Sequence, residues 1–213
     1  MKDDRKNILK GYNLLLYFAG SMIMSEPTEE CVLDFWKNGT LKKLPVSSLN
    51  PRFIEAAGLL RQSCPEDEDC RVILTEDYYR LFTVSGLPLA PAYASIYKNN
   101  SGTQAEKVSE FYDSYGWQPK LRPGVPDDHL GIELLFLTRL VDKYLSMDDD
   151  PSCREMKKEI RRFIDQHILS WIPEWFRDVE ENAHSLCYKG IGMLIYACVE
   201  DMSGMFSQSY KPL

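Results

Sequence analysis

At 213 residues the chain is long enough for one domain and short for two of ordinary size. Apolar residues make up 44% and aromatics 12%, which allows a packed core without staples and argues against a disordered chain. The net charge of −7 and a pI near 5.1 count against a nucleic-acid binder, which displays a basic patch, and favour a basic or neutral partner.

Helical periodicity recurs along the chain and strand alternation is nearly absent. Ile8, Tyr12, Leu15, Ala19 and Met22 form the first stripe; Pro27 ends that helix and Thr28 can cap the next. Asn38-Gly39 reads as a helix C-cap, because its flanks do not alternate. Asn50-Pro51 is an N-cap with proline at the first helical position, followed by Phe53, Ile54, Ala57 and Leu60. The acidic turn from Glu66 to Asp69 opens a helix bearing Leu74, Tyr78 and Leu81. Gly86, Pro88 and Pro91 break residues 83–92 into a loop, and a short aromatic helix follows with Tyr93, Ile96 and Tyr97.

Thr103 and Glu106 form a capping box for a helix with Val108, Phe111, Tyr112 and Tyr115, which Gly116 stops. The stretch 116–126, with Pro119, Pro123 and Gly124, is the candidate hinge. Leu130, Leu134, Leu137, Val141 and Tyr144 then make a regular helical stripe, and Asp150-Pro151 caps a helix with Met156, Ile160 and Phe163. Trp171, Trp175 and Val179 mark one more helix, and Cys187, Ile191, Leu194, Cys198 and Met202 the last. The expectation is an all-α fold, a single globular bundle of about 9–11 helices over residues 1–213, with no fixed-period repeat.

The six cysteines contain no C-x-x-C pair and no zinc-finger spacing, so buried free thiols are expected. The N-terminus lacks a signal-peptide pattern and the apolar runs are too short to span a membrane, which predicts cytoplasmic residence without stable membrane insertion. Phosphate-binding glycine loops, H-E-x-x-H and G-x-S-x-G are all missing. His129 and Glu133, four apart, could in principle join in a metal pair, but an intrahelical hydrogen bond is the simpler expectation.

Two segments stand out. In Pro126-Asp127-Asp128-His129, Asp127 can cap and Asp128 can favour the positive end of the helix dipole. The same cluster, beside a hinge, can instead hold an arginine by charge-assisted hydrogen bonds. In Tyr79-Arg80-Leu81-Phe82 through Pro91, Tyr93 and Tyr97, each aromatic alone suits a core, while together with the prolines they suit a groove for an apolar peptide. Arg161 and Arg162 imitate a twin-arginine signal but sit on an expected helix and read as a solvated face.

In order and spacing, Tyr79-Arg80-Leu81-Phe82, Leu87-Pro88, Pro91, Tyr93-Ala94-Ser95-Ile96-Tyr97, Tyr115-Gly116 and Pro126-Asp127-Asp128-His129-Leu130-Gly131 through Glu133 resemble the TorD/DmsD/NarJ family of redox-enzyme maturation chaperones. His167, Trp171, Phe176 and Tyr188 extend the resemblance, and Val125 stands where the family's hinge motif has a glutamate. The resemblance implies a cytoplasmic, non-enzymatic chaperone. Its client would be the immature catalytic subunit of a molybdopterin oxidoreductase of the DMSO/TMAO reductase type, its twin-arginine signal peptide, or both. Such a chaperone assists cofactor insertion and delays export. The implied client-binding residues are Tyr79, Leu81, Phe82, Pro91, Tyr93, Tyr97, Pro126, Asp127, Asp128 and His129, with no catalytic residue and no metal ligand. No cofactor of its own is expected; guanine nucleotide or molybdenum cofactor binding, and a monomer or domain-swapped dimer, come from the resemblance alone. The alternatives are a nitrate-reductase-type assembly chaperone whose client lacks a twin-arginine signal, a nucleotide- or metal-dependent enzyme, and a general helical adaptor.

Overall fold

A computed structural model describes residues 2–32, 39, 43–64, 70–83, 87–98, 104–119 and 125–207. Among them are ten α-helices. In chain order they are α1 (Lys2–Met24), α2 (Glu29–Val32), α3 (Pro51–Gln62), α4 (Cys70–Tyr78), α5 (Ala94–Tyr97), α6 (Gln104–Ser114), α7 (Leu130–Leu145), α8 (Asp150–Phe163), α9 (Ile172–Asn182) and α10 (Leu186–Phe206). Two π-helical turns, Tyr79–Thr83 and Ile164–Ile168, continue α4 and α8. The expected all-α class is what the chain adopts. Among the described residues no helix is long and apolar enough to cross a membrane.

Two helices lie at the centre. α7 buries residues on every side, from Leu130, Ile132 and Leu134 round to Phe136, Leu137, Leu140 and Val141, so its one-sided stripe understates its burial. α10 is likewise enclosed and packs on α1, α3, α8 and α9. Small residues permit these approaches: a Cβ on Gly131 would run into Met24 Cγ of α1, and one on Gly190 would meet Leu60 Cγ of α3 at 2.9 Å. A core shared by all these helices includes Trp171, Trp175, Tyr112, Tyr188, Phe136 and Phe163 as its largest buried side chains.

Most start and stop signals act as expected. The Asn50 side chain accepts from Arg52 N with Pro51 next to it, and Gly116 takes a φ of 62° to end α6. Capping of α8 moves by one residue: Asp149, not Asp150, accepts from Ser152 N. Ile8, Ile54 and Ile96, which fit the helical stripes, are exposed, because Leu9, Phe53 and Ala94 beside them take the inward positions. Leu81 belongs to the first π turn rather than to α4, a widening that shifts the helical phase and buries Leu81 and Phe82 together. Asn38, Thr103 and the Glu66–Asp69 turn lie outside the described residues, as do residues 120–124 of the hinge stretch. Cys70, Cys187 and Cys198 are buried, and Cys64 and Cys153 half-buried.

Candidate functional site

The loop after the first π turn returns to the body through backbone bonds: Ala90 N donates to Leu81 O at 2.8 Å and Leu89 N to Arg80 O at 3.2 Å. Trp175 Nε1 donates to Ala90 O at 3.2 Å, pinning the same loop to α9. From there the chain meets the start of α7. Tyr93 and His129 form an antiparallel bridge, Leu130 N donates to Ala92 O at 2.8 Å, and Ala94 N donates to Asp128 O at 3.0 Å. Asp128 Oδ2 accepts from Ser95 N at 2.8 Å, so this carboxylate caps α5 rather than its own helix.

The N-cap of α7 is His129, whose Nδ1 accepts from Gly131 N at 3.0 Å. This corrects the assignment of Asp127 as cap. Asp127 accepts from Ser109 Oγ at 2.6 Å, and its backbone carbonyl accepts from Tyr112 OH at 3.1 Å, which ties the junction to α6. Burial lowers the His129 pKa to about 4, so the imidazole is neutral and free to accept from a backbone amide. His129 and Glu133 are joined by a hydrogen bond through the helix backbone, Glu133 N donating to His129 O at 3.1 Å. Among the described residues, no group of three or more His, Cys, Asp or Glu could hold a metal ion.

Glu133 is the most unusual residue nearby. It is 1% exposed and its Oε2 is buried without a hydrogen-bond partner, as is Asp128 Oδ1. Burial pushes the Glu133 carboxyl well above its ordinary range; Lys98 opposes the shift and Asp128 adds to it. Burial thus favours the protonated form of this carboxyl.

The candidate residues divide by burial. Leu81, Phe82, Asp128 and His129 are buried; Pro91, Tyr93, Tyr97 and Asp127 are half-buried; Tyr79 and Pro126 are exposed. Phe82 packs edge-on to Tyr78 and Tyr188 and stacks on Trp175, so it serves the core. Tyr97 stacks on Trp171 with ring centres 5.6 Å apart and donates to Asp178 Oδ2 at 3.0 Å. Tyr93 meets His129 edge-on at 5.0 Å. Of the candidate residues, Pro91, Tyr93, Tyr97, Asp127 and Pro126 keep some exposure; upstream, Tyr79 in the π turn and Leu87 and Leu89 in the loop are exposed.

Sequence reasoning missed Asp77, which is 3% exposed and holds four donors: Ser185 N and Oγ, His184 N and the Arg80 guanidinium. Arg80 also donates to Asn182 O, so α4 and its π turn are joined to the α9–α10 turn. The i,i+3 spacing of Asp77 and Arg80 was the available signal, and it has too many innocent occurrences to stand out.

An all-helical fold whose aromatic loop is stitched to a capped polar junction defines a class of protein, and comparison with known families agrees. The chain belongs to the family described as nitrate reductase delta subunit, matched over residues 47–177; this is the TorD/NarJ family, one of chaperones rather than enzymes. It is similar to the chaperone protein TorD of Vibrio vulnificus strain YJ016, 29% identical over 139 residues that cover 63% of this chain and 65% of the relative. That of a Psychrobacter species is 32% identical over 108 residues, covering 48% and 47%. That of Photobacterium profundum is 24% identical over 202 residues, covering 91% and 94%. The first of these alignments stops just short of two thirds of the relative's length, and the second spans about half.

Proposed function

We propose that this protein is a maturation chaperone for a molybdenum-dependent oxidoreductase, binding the immature catalytic subunit in the cytoplasm. The observation that carries the reading is the joining of the Tyr79–Tyr97 segment to Asp128 and His129, residues more than thirty apart in sequence, within a chain of the TorD/NarJ family. The exposed apolar side chains along that segment suit the apolar stretch of a signal peptide, and the protein's acidic balance suits its basic start.

In this reading Tyr79, Pro91, Tyr93, Tyr97 and Pro126 meet the client directly. Asp127 is the carboxylate an arginine reaches first. Asp128 and His129 are buried and already bonded, so they act by holding the junction, and contact a client only if it opens. Leu81 and Phe82 support the segment from beneath. Calorimetry of a twin-arginine signal peptide against its twin-alanine version tests the recognition. Tighter binding of the arginine peptide, weakened by Asp127→Asn, supports it; equal affinity for both refutes the arginine assignment.

A second reading is favoured by the bond between Asp128 and Ser95 N. With that carboxylate already engaged, the client is recognised at its body or at an N-terminus without twin arginines. Co-purification of a molybdoenzyme subunit lacking its signal peptide distinguishes this reading from the first.

A further inference from the structure

A cavity of about 490 Å³ opens between the end of α5, the outer face of α6 and the second π turn. Its volume is in the range of small-molecule sites. Lys98, Lys107 and Arg162 line it, against the single carboxylate of Glu110, in a protein whose overall charge is −7. Gln104, Gln166 and His167 complete its polar lining.

The three cations come from three parts of the chain, and only Arg162 has a carboxylate partner among the described residues. Lys98 Nζ donates to a backbone carbonyl, Gln166 O at 2.8 Å, and not to a carboxylate. Glu133 and Asp128 act on Lys98 through their fields, and burial favours the protonated form of Glu133. Lys107 is exposed and makes no ion pair among the described residues. Arg162 pairs with Glu159 at 2.6 Å while its guanidinium lies 4.8 Å from the centre of the Phe111 ring, which fixes its plane at the cavity edge. Burial first, and then Lys98, Arg162 and Lys107, lower the His167 pKa to about 4.

Lys98, Lys107 and Arg162 against Glu110 and Glu159 leave an excess of positive charge around the cavity, which suits an anion. We propose that the cavity lined by Lys98, Lys107, Arg162 and His167 binds the dianionic phosphate group of a small molecule, with the lysines as point charges, the guanidinium as a planar donor and the Gln104 and Gln166 amides completing the shell. The proposal goes beyond the chaperone reading and does not depend on it.

The test is calorimetry on the full chain at physiological ionic strength, with inorganic phosphate and a sugar monophosphate as probes. Lys107→Glu is the variant, since this exposed side chain has no structural partner among the described residues, and Lys10→Glu, exposed on α1 outside the cavity, is the control for net charge. The expected result is saturable binding of at least one probe, weakened more than about tenfold by Lys107→Glu and little by Lys10→Glu. Tighter binding of the sugar phosphate assigns the site to an ester, and equal binding to the free anion. A nuclear magnetic resonance titration gives an independent readout, because a bound dianion raises the His167 pKa from about 4 toward 6.5. No saturable binding of either probe, equal weakening by the two charge reversals, or an unmoved His167 would each overturn the proposal.

Discussion

Between pH 5 and 8 the stability of this protein should pass through a maximum, and Glu133→Gln should remove one side of it. His129 and His167 both titrate near 4 in the fold against 6.5 for an ordinary histidine, so between those values the unfolded chain binds two protons that the native state does not. For histidines depressed in this way, the stability is present above 6.5 and lost as pH falls toward 4. The Glu133 carboxyl is raised well above its ordinary 4.5, so above that pH the native state holds one proton that the unfolded chain has released. Its contribution is present below 4.5 and is lost as pH rises.

Each proton of difference changes stability by about 1.4 kcal/mol per pH unit. Two histidines less one carboxyl leave a net rise of about 1.4 kcal/mol per unit from pH 5 to 6, reduced where partly exposed His167 responds less than buried His129. Above pH 7 the histidines are neutral in both states, and the carboxyl alone gives a fall of about 1.4 kcal/mol per unit for as long as it keeps its proton. In Glu133→Gln the acid limb steepens toward about 2.7 kcal/mol per unit and the alkaline limb flattens. Urea unfolding of both proteins at half-unit intervals measures this. Parallel curves, or a wild-type stability that climbs through pH 7 to 8, would refute the assignment of a protonated, buried Glu133.

Three further outcomes follow from local geometry. Asp77→Ala strands the Arg80 guanidinium and the Ser185 donors, and should cost about 3 kcal/mol or more in chemical denaturation, well beyond the loss of one neutral hydrogen bond. Gly131→Ala places a methyl against Met24 and should lower stability by about 1–3 kcal/mol; Met24→Ala in the same chain should recover part of it, and the absence of recovery would mean that the nearby Gly20 carbonyl, not the side chain, resists. Asp128→Ala removes the cap of α5 and should cost about 1 kcal/mol, with faster amide exchange at Ser95 as its local signature; unchanged exchange there would contradict the cap.

Local signals carried much of the architecture. Asn50-Pro51, Gly116 and the stripe of α7 work through neighbours within a turn or two, so the chain reads them before it folds, and the all-α class follows from their sum. The aromatic loop and the Asp-His junction were likewise visible as two unusual segments, and their family resemblance was legible in residue order. What sequence could not supply was side-chain commitment. Asp127, Asp128 and His129 are three adjacent polar residues, yet one accepts from α6, one caps α5 and one caps α7. Leu81 and Phe82, plausible as groove residues, are core because a π turn rotates them inward. The raised pKa of Glu133 and the cationic cavity around His167 depend on elements up to about 70 residues apart, and burial and electric fields are properties of that assembly. Sequence by itself determined the helical class, several of the helix ends and the family; tertiary structure alone decided which polar groups are buried, which are taken up as caps and which face an opening, because those depend on distant chain segments meeting.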